Sequence, residues 1–230
     1  MPSPTAATII FDLDGTLIDT APDLAAALNY CLGEAGHGTD ALAVVRPEAG
    51  HGARAMLTAA YARRGVPLDE PMMLAALDRF LGYYEAHIAD ASRPYPGVVT
   101  AMDALTEAGF ELAVCTNKRE RLATVLLDQL GLSARFATIC GADTVAHRKP
   151  HPDHIRETLG RAGGSVAAGA IMIGDSAADI DAADAAGIPS ILVDFGYAPE
   201  ADARAKASIT LADYRDLTPK LAWRLLAHRP

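Results

Sequence analysis

Six short apolar runs recur along the chain, and each is continuous rather than alternating with polar residues. Runs of this kind are typical of β-strands that are buried on both faces, as in a parallel sheet covered by helices. The sequence therefore predicts six such strands. They are Ala7–Phe11, Phe110–Cys115, Ala137–Cys140, Ala170–Gly174, Ser190–Asp194 and Ser208–Leu211.

Helical patterns separate several of these runs. Gly97–Gly109 and Lys118–Gly131 have the apolar spacing of an amphipathic helix, and Asp175–Gly187 is rich in alanine. Each ends at a glycine, which supplies the left-handed conformation found just after many helices. Because strands and helices alternate, we expect an α/β fold with a Rossmann-like parallel sheet flanked by helices.

One long segment interrupts the alternation. Between residues 19 and 92 the sequence contains only helical patterns, and Pro94 and Pro96 mark the return to the strand–helix order. We interpret this segment as an all-helical cap domain inserted after the first strand. The predicted core domain is then 1–18 together with 93–230, and the predicted cap domain is 19–92.

The bulk composition limits the partners. The chain of 230 residues carries a formal net charge of −9, which disfavours nucleic acid and anionic membranes, although a local site can still bind a small anion. No window approaches about 18 continuous apolar residues, and the N-terminus lacks a basic segment, so we expect neither a membrane span nor a signal peptide. Three widely separated cysteines suggest reduced thiols, and we expect a cytoplasmic protein that is a monomer or a homodimer.

Polar side chains follow four of the predicted strands or the loops after them. Ligands of open parallel sheets bind at the carboxyl ends of the strands, so these segments should converge on one edge. Each residue taken alone has a simpler explanation as a helix N-cap or a turn residue, but the set as a whole does not. The candidates are Asp12, Asp14, Thr116, Asn117, Lys149, Asp175 and Asp179.

A cluster of carboxylates is electrostatically unfavourable unless a cation lies among them. Oxygen ligands without a neighbouring cysteine or histidine favour a hard ion such as Mg²⁺. A divalent ion together with a lysine would also reduce the repulsion between an anionic nucleophile and a phosphate monoester. The pattern therefore favours Mg²⁺ as a cofactor, and such an ion would reconcile an anionic nucleophile with an anionic substrate.

Four segments resemble the motifs of the haloacid dehalogenase superfamily, phosphatase branch: "DLDGTLIDT", "CTNK", "KPHPD" and "GDSAAD". The helical insert is similar to the small α-helical cap of that family. Two further segments, "YPGV" and "RPEAGHGARAML", are most similar to those of phosphoglycolate phosphatases. The resemblance covers nearly the whole chain and implies a phosphatase that works through an aspartyl-phosphate.

The resemblance also implies roles for the acidic residues. Asp12 matches the nucleophile, and Asp14 matches the general acid for the leaving alcohol, which then serves as the base for water. Mg²⁺ would be held by Asp12, Asp175 and the backbone carbonyl of Asp14. Since a halide leaving group needs no general acid, an aspartate at position 14 favours an oxygen leaving group.

The remaining core candidates would handle the phosphate. By resemblance, Thr116 and the backbone of Asn117 hold phosphate oxygens, and Lys149 neutralises charge. Asp179 would either bind the ion through water or orient Lys149.

The insert contains one candidate substrate contact, the segment "GHGAR" at residues 50–54. Glycines before a helix expose backbone N–H groups, and Arg54 could pair with a substrate carboxylate, with His51 as a further contact. The simpler alternative is a turn followed by a solvated arginine. The same letters match a dinucleotide-binding pattern, but Pro47 and Glu48 exclude the strand which that motif requires.

Four histidines, His51, His147, His151 and His154, raise the alternative of a zinc site, and the last three lie near one loop. Because Pro150 and Pro152 should keep this segment irregular, we expect surface histidines instead.

The sequence as a whole predicts a Mg²⁺-dependent phosphomonoester hydrolase acting on a small anionic phosphorylated metabolite, with 2-phosphoglycolate the best candidate. The alternatives are a phosphomutase of the same family and a non-enzymatic signalling module that accepts a phosphoryl group.

Overall fold

The strands of the computed structural model reproduce the predicted alternation. The structure describes residues 6–197 and 200–227. Within these ranges the strands, in chain order, are β1 Thr8–Phe11, β2 Ile18–Asp19, β3 Arg93–Pro94, β4 Glu111–Thr116, β5 Thr138–Gly141, β6 Ala170–Gly174, β7 Ser190–Val193 and β8 Ile209–Leu211. All six predicted strands are present with ends that shift by one residue at most, whereas the two-residue strands β2 and β3 were not predicted.

The six longer strands form one parallel sheet in the order β5-β4-β1-β6-β7-β8, and β2 pairs with β3 separately. Strand β1 is central, and the chain builds the sheet outward from it in both directions. Ile9, Ile10 and Phe11 are all fully buried, which confirms that this run is covered on both faces. The predicted α/β fold with a parallel sheet is therefore confirmed.

Helices connect the strands and form the insert. They are α1 Ala21–Glu34, α2 Leu42–Ala49, α3 Ala53–Arg63, α4 Glu70–Ala86, α5 Val98–Glu107, α6 Glu120–Gln129, α7 Pro152–Arg161, α8 Ala177–Ala186, α9 Ala201–Lys206 and α10 Pro219–Ala227. Two 3₁₀ turns lie at Ser133–Arg135 and Tyr214–Asp216. No helix in the described part of the chain is long and apolar enough to cross a bilayer.

The chain divides into two compact units, one of Met1–Ile18 with Pro94–Pro230 and one of Asp19–Arg93. The first contains the six-stranded sheet. In its core, Ile10 of β1 packs with Ile155 and Leu159 of α7 and with Ala183 of α8.

The second unit contains α1 to α4. Phe80 and Tyr84 of α4 are buried in it. Asp23 of α1 is also buried, and it accepts hydrogen bonds from the backbone N–H of Ala91 and from the N–H and hydroxyl of Ser92. These bonds attach the end of the insert to its first helix.

Helix α7 corrects the expectation that residues 150–154 are irregular. It begins at Pro152, and a proline in the first turn lacks only an N–H that would have no partner inside the helix. His151 is the N-cap residue, and its Nδ1 accepts a hydrogen bond from the Asp153 N–H at 3.3 Å.

Candidate active site

The carboxyl end of β1 is the point from which the candidate site is built. Asp12 directly follows this strand, and its N–H donates to the carbonyl of Ile173 in β6. Strands β4 and β6 flank β1, so Thr116 at the end of β4 and Asp175 directly after β6 lie at the same edge. The parallel register thus gathers the predicted residues from separate segments of the chain.

Lys149 connects two of the carboxylates. Its ammonium lies 3.0 Å from Asp12 Oδ1 and 2.6 Å from Asp179 Oδ1, and it donates to the carbonyl of Cys115 at 2.6 Å. Only 1% of the Lys149 side chain is exposed. A buried ammonium needs such partners, because unpaired charge is costly in a low-dielectric interior.

Asp179 is fixed at the start of α8. Its Oδ2 accepts hydrogen bonds from the N–H and the hydroxyl of Ser176, which is the N-cap residue. The end of β6 passes so close that a Cβ on Gly174 would lie 2.2 Å from Asp179 Cγ. Only glycine leaves room for this carboxylate, which is therefore held firmly against Lys149.

Asp175 is held by two donors. The hydroxyl of Thr16 donates to its Oδ1 at 3.0 Å, and the N–H of Tyr197 donates to its Oδ2 at 2.9 Å. Gly15 has a φ of +78°, and a Cβ there would lie 2.4 Å from Asp175 Oδ2. The turn after β1 thus needs glycine both for its backbone conformation and for the approach of this carboxylate.

Asp14 has a different partner. Lys118 Nζ donates to both of its carboxylate oxygens, at 2.9 and 3.1 Å. The sequence pattern placed Lys118 after the second long strand but assigned it no role. Its position two residues past Thr116, at an edge rich in carboxylates, is the signal that could have identified it.

The two phosphate-binding candidates also lie in this region. Thr116 is buried at the end of β4, and its hydroxyl accepts a hydrogen bond from the Lys118 N–H at 3.1 Å. The Asn117 side chain donates to the carbonyl of Lys149 at 3.0 Å. Asn117 therefore supports the lysine segment through its side chain.

Burial and mutual repulsion raise the pKa values of two acidic groups in the site. Burial raises the pKa of Asp12 to about 6, although Lys149 opposes the shift. Burial, followed by the charges of Asp12 and Asp179, raises the pKa of Asp175 to about 8. Burial lowers the pKa of Lys149, but the same two carboxylates outweigh it and leave that pKa above its ordinary value. The site thus holds more negative charge than its lysines balance.

Three of the carboxylates fit a cation. Oxygens of Asp12, Asp175 and Asp179 lie within 4.8 Å of one another. Asp12 Oδ1 is buried and receives no aligned hydrogen bond, although Lys149 Nζ is at ion-pair distance. An all-oxygen donor set with a buried, unsatisfied oxygen suits a hard divalent ion. This cluster contains Asp179, whereas the predicted metal set consists of Asp12, Asp175 and the backbone carbonyl of Asp14, which stays a prediction.

Comparison with known proteins agrees with this geometry. The family model described as haloacid dehalogenase-like hydrolase matches residues 9–193. The chain belongs to the haloacid dehalogenase-like hydrolases. The family that the sequence motifs indicate is therefore confirmed.

Individual relatives align over nearly the whole chain of this haloacid dehalogenase-like hydrolase. A phosphoglycolate phosphatase of Mesorhizobium japonicum is 45% identical over 218 residues, which are 95% of this chain and 96% of the relative. A phosphoglycolate phosphatase of Agrobacterium fabrum is 43% identical, over 97% of this chain and 96% of its own. The crystal structure of a predicted phosphoglycolate phosphatase from Haemophilus somnus has a TM-score of 0.83 at 29% identity, over 92% of this chain and 96% of that one.

The helical insert of this hydrolase carries the two other candidates. Gly52 is the N-cap residue of α3 with a φ of +85°, and His51 lies exposed in the turn before it. Arg54 makes a two-pronged ion pair with Glu70 at 2.9 and 3.0 Å. The structure thus gives Arg54 a carboxylate partner within the insert, and contact of either residue with substrate stays a prediction.

Two of the three histidines near the lysine loop lie on the surface, as expected from the sequence. His147 and His151 are exposed beside Asp153, whose carboxylate also pairs with Arg156. His154, by contrast, is fully buried, and its ring nitrogens meet the Lys149 N–H and the Cys140 carbonyl. Burial, followed by the charge of Lys149, lowers the pKa of His154 to about 4. The expectation of three surface histidines is wrong for His154, because the unpredicted helix α7 turns it inward.

Proposed function

We propose that this hydrolase is a Mg²⁺-dependent phosphomonoesterase that works through an aspartyl-phosphate on Asp12, with 2-phosphoglycolate as its substrate. The observation that carries the proposal is the convergence of Asp12, Asp175, Asp179 and Lys149 at the end of the central strand. The names of the relatives support the substrate.

Asp12 attacks the phosphorus in the first step. A bond forms between its carboxylate oxygen and phosphorus while the bond to the leaving oxygen breaks, and Asp14 gives its proton to that oxygen. In the second step Asp14 takes a proton from water, the water oxygen attacks phosphorus, and the carboxylate of Asp12 leaves. The products are an alcohol and inorganic phosphate.

The other residues would neutralise charge and fix the positions of the phosphoryl group and the metal ion. Lys149 lies against Asp12 and would neutralise a bound phosphoryl oxygen, while Asp179 holds that ammonium in place. Thr116 and the backbone of Asn117 would bind the remaining phosphoryl oxygens. Asp12, Asp175 and the backbone carbonyl of Asp14 would hold Mg²⁺, which supplies electrostatic screening between the phosphate and the carboxylates.

The helical unit Asp19–Arg93 would serve as the cap. His51 and Arg54 are its candidate substrate contacts, and Arg54 would have to exchange Glu70 for the substrate carboxylate. The expected cytoplasmic location is compatible with a metabolite substrate.

A phosphate-release screen tests the proposal. The enzyme is assayed with Mg²⁺ and with EDTA on 2-phosphoglycolate, ethyl phosphate, sugar phosphates and p-nitrophenyl phosphate. We expect Mg²⁺-dependent release with the highest kcat/KM on 2-phosphoglycolate. Full activity in EDTA would contradict the metal, and preference for another compound would contradict the substrate. Conversion of a sugar phosphate to its isomer without phosphate release would favour the phosphomutase alternative.

A further inference from the structure

Lys118 is the second ammonium of the site. It follows β4, donates to both oxygens of Asp14, and its side chain is only 7% exposed. Its backbone is also fixed, since its N–H donates to the Thr116 hydroxyl and its carbonyl accepts from the Ala142 N–H at 3.0 Å. A lysine anchored in this way can present its ammonium at a defined place.

The two lysines lie on different sides of the proposed reaction. Lys149 contacts Asp12, where the phosphoryl group would bind, whereas Lys118 contacts Asp14, where the leaving oxygen would be protonated. Within the site, Lys118 thus adds positive charge on the leaving-group side.

We infer that Lys118 is a specificity-determining residue whose ammonium binds a carboxylate on the leaving group of the substrate. This inference rests on the proposed function and deepens it. The ligand it selects is a short phosphorylated acid in which the carboxylate is close to the ester oxygen.

The distances permit this contact. A leaving oxygen within hydrogen-bond reach of Asp14 lies at most about 6 Å from Lys118 Nζ, because each would be about 3 Å from the same carboxylate. In 2-phosphoglycolate the carboxylate carbon is two covalent bonds from that oxygen. An ammonium has three donors and can bridge Asp14 and a second carboxylate. A neutral alcohol chain would offer Lys118 nothing comparable.

The alternative is that Lys118 only positions Asp14. The two roles differ in what they predict for a substrate that lacks the carboxylate. If Lys118 only holds Asp14, its loss slows every phosphomonoester by a similar factor. If Lys118 binds the substrate carboxylate, its loss is specific to phosphorylated acids.

The test compares 2-phosphoglycolate with ethyl phosphate, which has the same ester without the carboxylate. In Lys118→Met we expect the ratio of the two kcat/KM values to fall by roughly 10- to 150-fold, as for loss of one charged hydrogen bond. Lys118→Arg should retain part of the preference. Lys206→Met is the matched control, since it removes a lysine from an exposed pair with Asp181, and its ratio should not change.

A binding measurement separates this effect from chemistry. In an Asp12→Asn background, calorimetry with each compound should show Lys118→Met weakening 2-phosphoglycolate and leaving ethyl phosphate within about twofold. Melting temperatures verify that every variant is folded. Equal losses on both compounds would overturn the inference and leave the proposed function intact. A wild-type enzyme with no preference for 2-phosphoglycolate would overturn the proposed substrate and the inference together.

Discussion

Lys149 is held in place through contacts of both its side chain and its backbone. Besides its ammonium contacts with Asp12 and Asp179, its N–H donates to Nδ1 of His154 and its carbonyl accepts from Asn117. The lowered pKa of His154 keeps that imidazole neutral near pH 7, so that Nδ1 can accept. The lysine is therefore fixed at both backbone and side chain, as its proposed contact with a phosphoryl oxygen requires.

Replacement of Asp179 tests this description. Asp179→Ala leaves a buried ammonium with one carboxylate fewer and removes the acceptor at the start of α8. We expect a loss of about 3–5 kcal/mol in the free energy of unfolding. Asp181→Ala on the same helix removes only an exposed pair with Lys206 and should change stability by less than about 0.5 kcal/mol. Urea unfolding of both variants measures the difference, and similar losses would refute the account of Asp179.

The secondary-structure elements show which parts of the sequence pattern are informative. The continuous apolar run of β1 predicts a two-sided strand because a central parallel strand has no solvent face. The strands β2 and β3 have two residues each and cannot produce a periodic pattern. The sequence did not predict helix α7, because proline is tolerated in the first turn of a helix but breaks a helix in its interior. The sequence alone does not show which of these two positions Pro152 has.

The same argument separates the predictable part of the site from the rest. Asp12 and Asp175 directly follow strands, and the sheet rule alone brings them to one edge. Lys149 lies further along the loop between β5 and α7, so its position depends also on the course of that loop. The contact between Lys118 and Asp14 depends on the register of β4 against β1, in which Val114 lies opposite Phe11. Register is a tertiary property, so the sequence could indicate that these segments are neighbours but not which side chains touch.

The buried carboxylates of the site make the stability of the whole protein depend on pH and on a bound metal ion. In the metal-free protein the pKa of Asp175 is raised from 3.8 to about 8, so the folded state binds a proton that the unfolded state has released. The contribution of Asp175 to the free energy of unfolding is therefore fully present below about pH 4 and is lost as the pH rises through 8. The lowered pKa of His154 acts in the opposite direction, but only between about 4 and 6.5.

Between pH 6.5 and about 8.5 the effect of Asp175 is therefore isolated, since the pKa values of Cys31 and Cys115, which burial raises from 9.0, act above that range. In EDTA we expect the melting temperature to fall between pH 6.5 and about 8.5, and the stabilisation by Mg²⁺ to increase over the same range, because metal and proton compete for one site. Differential scanning fluorimetry measures both. In Asp175→Asn the Mg²⁺ effect should disappear. A Mg²⁺ effect that is independent of pH, or that survives in this variant, would contradict the assignment of Asp175 to the metal.

The most direct measurement is the capture of the phosphoryl group on Asp12. Asp14→Asn, which lacks the base for the second step, is mixed with Mg²⁺ and p-nitrophenyl phosphate, whose nitrophenolate leaves without a proton from residue 14. The mixture is quenched in acid, digested and analysed by mass spectrometry. The account predicts one added phosphoryl group on the peptide that contains Asp12, and none in the double variant with Asp12→Asn. Phosphate release by the wild-type enzyme without any modified Asp12, or near-normal turnover by Asp12→Asn alone, would contradict it.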